Sequence, residues 1–164
     1  MNEAFIHTPV GWLQLVEANN TLSVIHFMDE APVEMPINVT LFLQDCMKQI
    51  QAYFDGAITK FPFMQNAAQQ GTVFQQKVWN ELVKIPHGKT ISYSELAIRL
   101  GNEKCIRAAA SANGQNNLAI AVPCHRVIGN DGSLTGYAGG LWRKKWLLDH
   151  EAKLSGKASQ PSLF

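Results

Sequence analysis

Apolar and polar positions alternate near the amino terminus in a pattern that is typical of strands. Val10–Ala18 and Thr21–Phe27 are rich in Leu, Val, Ile and aromatic residues, and Asn19-Asn20 lies between them. Asparagine suits the tight turn of a hairpin, so these segments are predicted to form a β-hairpin. Glu3–His7 is predicted to add a third strand.

Apolar residues then recur at helical spacing, and the repeat is carried by Leu41, Phe42, Cys46, Ile50 and Phe54. This spacing predicts a helix that Asn38 caps and that ends near Gly56. Residues 57–71 contain Pro62 and a stretch rich in Gln, Asn and Ala. They are the best candidate for a linker, so the chain is expected to divide near residue 70.

Two capping-box pairs mark helix starts after this linker. Thr72 and Gln75 open a first helix, and Ser92 and Glu95 open a short second helix that Gly101 closes. In each pair the hydroxyl and the longer side chain can satisfy backbone N–H groups of the first turn. The spacing therefore predicts two helices within this stretch.

A third helix is predicted from Glu103 to about Asn113, with Asn102 as its cap. Two short helices joined by a turn that contains glycine match a helix-turn-helix, whose later helix reads DNA. This helix carries Arg107 beside the small residues of Ala108–Ala112. Small residues permit close approach to a partner, but they are equally typical of a tightly packed core helix, and both interpretations stay open here.

The run Pro123-Cys124-His125-Arg126 is the most informative chemical feature of the chain. It follows Leu118–Val122, an apolar segment predicted to be a short strand that presents Cys124 at its end. A free thiol has a pKa near about 8.5, and a nearby base or positive charge increases its thiolate fraction. Such a thiolate is a usable nucleophile.

Glu151 lies near the end of a helix predicted around Leu141–His150 and would orient His125, as in other nucleophile–base–carboxylate sets. A lone cysteine after an apolar strand is more often a buried small hydrophobe. His125 would also point away from Cys124 if the strand continued. On the residues alone, catalysis and packing are both open.

Composition bounds the class of protein. The 164 residues are 46% hydrophobic, which supports a packed interior and excludes wholesale disorder. Cys46, Cys105 and Cys124 are widely spaced, which fits neither a disulfide framework nor a four-ligand zinc site, and Cys46 and Cys105 are assigned to packing. No apolar run reaches the roughly 18 residues of a membrane span, so a soluble, cytoplasmic protein with reduced thiols is expected.

The formal net charge of +1 conceals an uneven distribution. Residues 1–76 carry two lysines against seven carboxylates, a net charge of −5. Residues 77–164 carry twelve lysines and arginines against six carboxylates, a net charge of +6. The basic half contains the predicted helix-turn-helix and the cysteine, and it is the half that would face a polyanion.

An ordered set of motifs runs through the basic half. Its centre is Val122-Pro123-Cys124-His125-Arg126-Val127-Ile128-Gly129, preceded by Asn113-Gly114 and Asn116. Further segments of the set are Gly71–Gln75, Ile85–Thr90, Leu134–Gly140 and Lys145–Glu151. Together they resemble the O6-alkylguanine-DNA alkyltransferases, the methylated-DNA–protein-cysteine methyltransferase family. The resemblance is dense over residues 71–151 and looser over residues 1–70.

The resemblance implies an α+β fold and a DNA-repair activity. A small, ribonuclease-H-like α/β domain over 1–70 would be a scaffold, and a winged-helix-like helix-turn-helix domain over 71–153 would bind DNA and carry catalysis. Residues 154–164 would be a flexible tail. The protein would be monomeric and would need no cofactor, metal or membrane. It would transfer an alkyl group, once per molecule, from O6-alkylguanine in double-stranded DNA, and O4-alkylthymine is a further candidate substrate.

The resemblance also implies a role for each matching residue of the site. Cys124 would accept the alkyl group, His125 would take its proton through a water, and Glu151 would orient His125. Asn116 would brace the turn at the active site. Tyr93 would donate a hydrogen bond toward a ring nitrogen of the departing guanine.

Two further groups follow from the resemblance. Arg107 would fill the gap left by a flipped nucleotide, because a base must leave the duplex before its O6 substituent can be reached. The further DNA contacts would be Ala108, Ser111, Asn113 and Arg126. The lesion pocket would be lined by Val127, Tyr137 and Ala138.

The chain departs from the pattern of the family in two places. Many relatives have proline after the hinge asparagine, but Asn117 follows Asn116 here, which would loosen the turn and change the rate modestly. Residues 1–70 lack the clustered Cys and His of the zinc site found in some relatives.

Three other functions stay open. A non-enzymatic protein of the same fold could bind alkylated DNA, although some such relatives have tryptophan where Cys124 stands. A Cys-His hydrolase would leave the helix-turn-helix without a purpose. A winged-helix regulator would leave the Cys-His-Glu set idle.

Overall fold

The computed structural model describes residues 1–156, which divide into two compact units. The first unit comprises Met1–Gln69 together with Asn117–Ala121. The second unit comprises Gln70–Asn116 and the chain from Val122 onward. The first unit therefore takes a short segment from late in the sequence, just before Cys124.

A three-stranded antiparallel sheet forms most of the first unit. Strands β1 (Asn2–Thr8), β2 (Gly11–Ala18) and β3 (Thr21–Met28) are neighbours in sequence order. Asn19 and Asn20 connect β2 to β3 with φ angles of 52° and 58°, which asparagine tolerates better than most residues. The predicted hairpin and third strand are confirmed.

Helix α1 spans Leu41–Phe54 and buries one face, which consists of Leu43, Cys46, Ile50, Tyr53 and Phe54. Its cap is Thr40, not the predicted Asn38, because the Thr40 hydroxyl accepts from the backbone N–H of Leu43. The same hydroxyl donates to Glu17 at 3.1 Å. Burial, followed by the charges of Asp45 and Glu17, raises the pKa of Cys46 to about 12, which suits the packing role assigned to it.

The segment predicted as a linker is ordered against the sheet. Residues Pro62–Asn66 form a 3₁₀ turn, and Phe63 is buried. The backbone N–H of Ala68 donates to the carbonyl of Leu22 at 2.9 Å. Residues 57–69 therefore belong to the first unit, and the division between the units falls near the end of the predicted linker.

Residues Asn117–Ala121 pair with β3 at one position only. Ile25 donates to the carbonyl of Asn117 at 2.8 Å, and Ala119 donates to the carbonyl of Ile25 at 3.1 Å. Ile120 then adopts a φ of 70°, a left-handed conformation that is unfavourable for a β-branched side chain. The strand predicted over Leu118–Val122 is wrong, because the chain turns away after this single bridge.

Asn117 makes backbone and side-chain hydrogen bonds that a proline could not make. Its backbone N–H donates to Oε1 of Gln69 at 2.7 Å. Its side-chain oxygen lies 3.2 Å from Nε2 of His26. The position is thus held by hydrogen bonds rather than by a fixed ring.

The second unit is mainly helical, with a two-stranded parallel sheet. Its elements are α2 (Val73–Leu82), β4 (Ile91–Ser92), α3 (Tyr93–Arg99), α4 (Ile106–Gly114), β5 (Val127–Ile128) and α5 (Leu141–Leu154). The indole N–H of Trp79 on α2 donates to the carbonyl of Ala112 on α4 at 2.9 Å. Helix α4 also packs against α3, as the predicted helix-turn-helix requires.

The helix ends follow the capping signals with two differences. Thr72 and Gln75 form a complete capping box, whereas at Ser92 only the hydroxyl half forms, because the Glu95 carboxylate pairs with Arg99. The predicted third helix begins as a 3₁₀ turn at Glu103–Cys105 before α4 starts.

Helix α5 continues past its predicted end at His150 to Leu154. The tail predicted over 154–164 lies outside the described residues from position 157 onward. Within residues 1–156, no helix is both long and apolar enough to cross a membrane.

Candidate active site

Cys124 lies on a tight turn rather than at the end of a strand. Cys124–Arg126 forms one turn of 3₁₀ helix after Pro123, and the backbone N–H of Val127 closes it on the carbonyl of Cys124. Only 7% of Cys124 is exposed. Because the backbone turns here, His125 does not follow the alternation of a strand, and the objection that it would point away from Cys124 no longer applies.

His125 and Glu151 form a fully buried pair. Nε2 of His125 lies 2.8 Å from Oε2 of Glu151, and the two side chains are 0% and 1% exposed. An N–H at Nε2 that donates to the carboxylate leaves Nδ1 as the acceptor of the ring. Nδ1 is buried and has no hydrogen-bond partner among the described residues, so it is the nitrogen that can receive a proton.

Arg126 belongs to this buried set and not to a DNA surface. It is 6% exposed, and its Nε and a terminal nitrogen donate to the two Glu151 oxygens at 2.7 and 3.0 Å. Its other terminal nitrogen donates to the carbonyl of Ile85 at 2.7 Å. The expected DNA contact at Arg126 is wrong, because its guanidinium is fully engaged inside the protein.

The charges in this set are fixed by their neighbours. Burial alone would raise the pKa of the Glu151 carboxyl, but His125 and Arg126 hold it well below its usual range. Burial lowers the pKa of His125, against the pull of Glu151. At neutral pH, the site therefore holds a carboxylate and a neutral imidazole that can act as a base.

The thiol of Cys124 is protonated at rest. Burial raises its pKa above the ordinary value, while the neighbouring Asn116, Lys144 and Tyr137 act in the opposite direction. The sulfur consequently needs a base to become a thiolate, which is one of the two means of activation predicted from the sequence.

Two asparagines hold the turn that carries the sulfur. The Asn116 amide donates to the carbonyl of Val122 at 2.7 Å and to the sulfur of Cys124 at 3.3 Å. The Asn113 amide donates to the carbonyl of Cys124 at 3.3 Å. Asn113 is buried, so the expected DNA contact is wrong, and sequence reasoning missed its contact with the turn.

A cavity of about 650 Å³ opens beside the site. Its lining is Tyr93, Ile106, Arg107, Ala110, Gly114, Gly129, Asn130, Thr135, Gly136, Tyr137 and Ala138. Tyr137 and Ala138, which were predicted to line the lesion pocket, line this cavity. Val127 does not line this cavity. Its side chain is fully buried in the core, and its backbone N–H donates to the carbonyl of Cys124.

The Tyr93 hydroxyl can donate a hydrogen bond into this cavity. It donates to the carbonyl of Thr135 at 3.4 Å, a long contact that a better acceptor could replace. Burial raises the pKa of Tyr93 to about 12, so the hydroxyl keeps its proton at neutral pH.

Helix α4 has one buried face and one exposed face. Ala109 and Ala112 are buried, which is the packing interpretation of the small residues. Arg107, Ala108 and Ser111 are exposed, which leaves a surface of small side chains beside one cation. The packing interpretation therefore holds for the buried face, and close approach to a partner stays a prediction for the exposed face.

Lys144 is the second residue that sequence reasoning missed. It lies in α5 within the run Trp142-Arg143-Lys144-Lys145, where charges suggest a solvated face, yet it is fully buried. Its spacing of seven residues from Glu151 places both on one face of the helix, and that periodicity is the signal that could have found it.

No group of three or more His, Cys, Asp or Glu side chains within residues 1–156 is arranged to hold a metal ion.

Comparison with known proteins gives one consistent result. Residues 73–153 match the family model for the DNA-binding domain of 6-O-methylguanine DNA methyltransferase. A methylated-DNA–protein-cysteine methyltransferase of Methanosarcina acetivorans is 41% identical over 155 residues, which cover 92% of this chain and 98% of that protein.

Solved structures agree with this result. The crystal structure of Mycobacterium tuberculosis O6-methylguanine methyltransferase has a TM-score of 0.82 and 38% identity, over 93% of both chains. A crystal structure of the Mycobacterium tuberculosis protein in complex with DNA has a TM-score of 0.82 and 36% identity, over 98% of this chain and 97% of the other.

Proposed function

The chain belongs to the O6-methylguanine-DNA methyltransferase family, and on this premise we propose that it repairs DNA by moving an alkyl group from O6-alkylguanine onto Cys124. The observation that carries the proposal is the buried His125–Glu151 pair. His125 follows Cys124 in the same turn, and its bond to Glu151 leaves the other imidazole nitrogen available as a base. The cavity lined by Tyr93 and Tyr137 supplies a space for the base. The reducing cytoplasm, where a thiol persists, is the proposed compartment.

The transfer step balances as follows. The proton of the Cys124 thiol passes through a water to Nδ1 of His125, and the sulfur attacks the alkyl carbon. A carbon–sulfur bond forms while the bond from that carbon to O6 breaks. Guanine leaves with the electron pair of the broken bond and takes up one proton from water, and His125 returns the thiol proton to water, so the number of protons is unchanged. No oxidant or reductant is needed.

Three residues support the charge changes of this step. Glu151, held as a carboxylate by Arg126, stabilises the imidazolium that forms at His125. The Tyr93 hydroxyl donates toward a ring nitrogen of the guanine as negative charge develops there. Because a thioether does not release its alkyl group under these conditions, each molecule acts once.

Duplex DNA reaches the site through the exposed face of α4. Ala108 and Ser111 permit close approach of the helix to a groove, and Arg107 borders the cavity. This position at the cavity supports a role for Arg107 in occupying the space that a flipped nucleotide vacates. Phosphate contacts make this binding salt-dependent and largely independent of sequence.

The test is to incubate the protein with duplex DNA that contains isotopically labelled O6-methylguanine and to measure the protein by mass spectrometry. One methyl group per molecule on Cys124 is expected. Cys124→Ala should abolish transfer and keep duplex binding, whereas Cys46→Ala and Cys105→Ala, the matched controls, should both be methylated fully.

Other results would contradict the proposal in distinct ways. Lesion binding without any transfer would indicate a binding protein of the same fold. A methyl group on Cys46 or Cys105 would remove Cys124 from its role. Multiple turnover on an ester substrate would indicate a hydrolase.

A further inference from the structure

Arg143 is a buried cation in the first turn of α5, and the proposed function gives it no role. Only 4% of the residue is exposed. The N-terminal end of a helix carries partial positive charge, so a cation is unfavourable there. A buried charge also loses its hydration. Helix stability and burial therefore do not explain an arginine at this position, and its contacts must be considered instead.

The guanidinium of Arg143 contacts the segment that leads into α5. Its Nη1 donates to the carbonyl of Gly139 at 3.0 Å, and this hydrogen bond is buried. Its Cζ lies 4.7 Å from the ring centroid of Trp142, within the range of a cation–π contact. Side chains on a helix tilt toward the N-terminus, so an arginine in the first turn can reach back past the helix cap. The side chain thus ties the start of α5 to the residue that precedes the cap.

Gly139 belongs to a turn that forms part of the cavity wall. The turn runs from Tyr137 to Gly140, and the N–H of Gly140 closes it on the carbonyl of Tyr137 at 2.9 Å. Tyr137 and Ala138 line the cavity. Gly140 is the N-cap of α5 with a φ of 91°, and its cap position has no side-chain hydrogen bond. Because glycine stiffens a backbone least, the bond from Arg143 is what fixes this turn to the helix.

We propose that Arg143 is a positioning residue for substrate binding: its guanidinium holds the turn from which Tyr137 and Ala138 contact the alkylated base. The proposal rests on the proposed function, which puts the base in this cavity. It separates two properties of the site. Arg143 governs how tightly the base is bound, whereas the His125–Glu151 pair acts on the bond-forming step.

The experiment compares Arg143→Met with Arg143→Lys and with Lys145→Met as the matched control. Lys145 lies two residues later, is only partly buried and pairs with Asp149, so its loss removes the same charge from the same helix. The rate of Cys124 alkylation is measured against the concentration of free O6-benzylguanine, which gives an apparent dissociation constant and a maximal rate. Iodoacetamide, which needs no binding site for a base, reports the reactivity of the thiol. Site-resolved mass spectrometry assigns both reactions to Cys124.

For Arg143→Met, the apparent dissociation constant should rise about tenfold, while the maximal rate and the iodoacetamide rate stay within about twofold of wild type. Arg143→Lys keeps a charged donor for the Gly139 carbonyl but loses the planar group over Trp142, so the constant should rise only about threefold. Lys145→Met should match wild type. An unchanged dissociation constant in Arg143→Met, or equal falls in its maximal rate and iodoacetamide rate, would overturn the proposal.

A second variant keeps the test decisive if Arg143→Met does not fold. Trp142 is 50% exposed, so Trp142→Leu removes the ring beside the guanidinium without emptying the core. Its apparent dissociation constant should rise about threefold. Amide hydrogen exchange at Gly140, whose N–H closes the turn, should become roughly threefold faster, while the amide of Ala68, bonded to Leu22, should not change. An unchanged dissociation constant or unchanged exchange at Gly140 would overturn the proposal.

The exchange measurement also separates this proposal from the proposed function, because it requires neither alkyl transfer nor a ligand. A wild-type protein that never reacts with O6-benzylguanine, but whose Gly140 amide exchanges faster in Trp142→Leu, would contradict the proposed function and still support the hold of Arg143 on the cavity wall.

Discussion

Two regions of the second unit differ in how they use their polar residues. In the buried relay of Cys124, His125, Arg126 and Glu151, every charge has a partner inside the protein. On the outer face of α4, Arg107, Ala108 and Ser111 are exposed to solvent. The hydrogen bonds of the relay form without any substrate, whereas the α4 face acts in the proposed function only when DNA is bound.

This difference predicts which properties a substitution in each region should change. A change in the relay should affect the chemistry with any substrate and should also lower stability, because buried partners are left unpaired. A change on the α4 face should affect only the reaction that needs DNA, and stability should hardly change. Reaction with free O6-benzylguanine, which needs no base flipping, separates the two.

The largest effect is expected for Glu151→Gln in the relay. Transfer from DNA and from free O6-benzylguanine should both fall by at least about 100-fold, because His125 loses its carboxylate and Arg126 its counter-charge. The free energy of unfolding should fall by about 3–5 kcal/mol, as is typical when one partner of a buried pair is removed. Single-turnover kinetics and denaturant unfolding measure these two effects.

The control for this change is Glu95→Gln. Glu95 and Arg99 form an exposed ion pair at 2.9 Å, and its loss should cost less than about 1 kcal/mol.

The pKa of Glu151 is held low, so its stabilising contribution is complete above the ordinary carboxyl pKa of about 4.3 and is lost as pH falls below it. The stability gap between wild type and Glu151→Gln should shrink on acidification. If Glu151→Gln reacted with free O6-benzylguanine at the wild-type rate, the relay would not be required for the chemistry.

An intermediate effect is expected for Arg107→Ala on the α4 face. Repair of duplex DNA should slow roughly 30-fold, because part of the few kcal/mol needed for extrusion is no longer supplied. Reaction with free O6-benzylguanine should stay within about twofold of wild type. Lys104→Ala, which removes an exposed cation just before the same helix, is the control and should slow duplex repair by less than about fivefold. If both reactions of Arg107→Ala fell equally, the role in base flipping would be wrong.

The smallest effect is expected for Asn117→Pro, which lies in neither region. Proline restores the residue common in relatives but removes the N–H bonded to Gln69 and the side chain beside His26. We expect a loss of about 1–2 kcal/mol in stability and less than about threefold change in transfer rate. Thermal unfolding and single-turnover kinetics test this, with Gln69→Ala as the matched control. A fall in transfer rate of more than about threefold, with little change in stability, would give Asn117 a functional role of its own.

Local signals explain which elements the sequence could predict. The hairpin rests on Asn19-Asn20, and the start of α2 rests on Thr72 and Gln75, all of which act within a few residues. The strand predicted over Leu118–Val122 is wrong because an apolar run records burial and not backbone direction. The φ of 70° at Ile120 is imposed by surroundings that no local pattern contains.

The site residues divide along the same line. The Cys-His pair and Glu151 could be found from the motif, but Arg126 and Asn113 could not be told from DNA contacts. Their partners are distant in sequence: Arg126 is 25 residues from Glu151, and Asn113 is 11 residues from Cys124. Whether a polar side chain faces solvent or the interior depends on such pairings, and sequence spacing alone does not reveal them.

The net charge of the basic half overstates the charge that its surface presents. Among the cations of residues 77–156, three are buried, namely Arg126, Arg143 and Lys144. The surface that could meet a polyanion is therefore less basic than the sequence count of +6 indicates. Arg126 is bonded to Glu151 inside the site, and Lys144 donates to the carbonyl of Thr135.

The first unit takes its last segment from late in the chain, and this has a consequence for biosynthesis. His26 and Asn117, which lie within hydrogen-bond distance, are separated by 91 residues. Ile25 likewise exchanges backbone hydrogen bonds with Asn117 and Ala119. A ribosome must therefore translate well beyond residue 70 before this unit can be completed, and long-range pairing of this kind slows folding. A fragment that ends at residue 70 would leave the backbone of Ile25 unpaired, so a protease should find it an easier substrate than the intact chain.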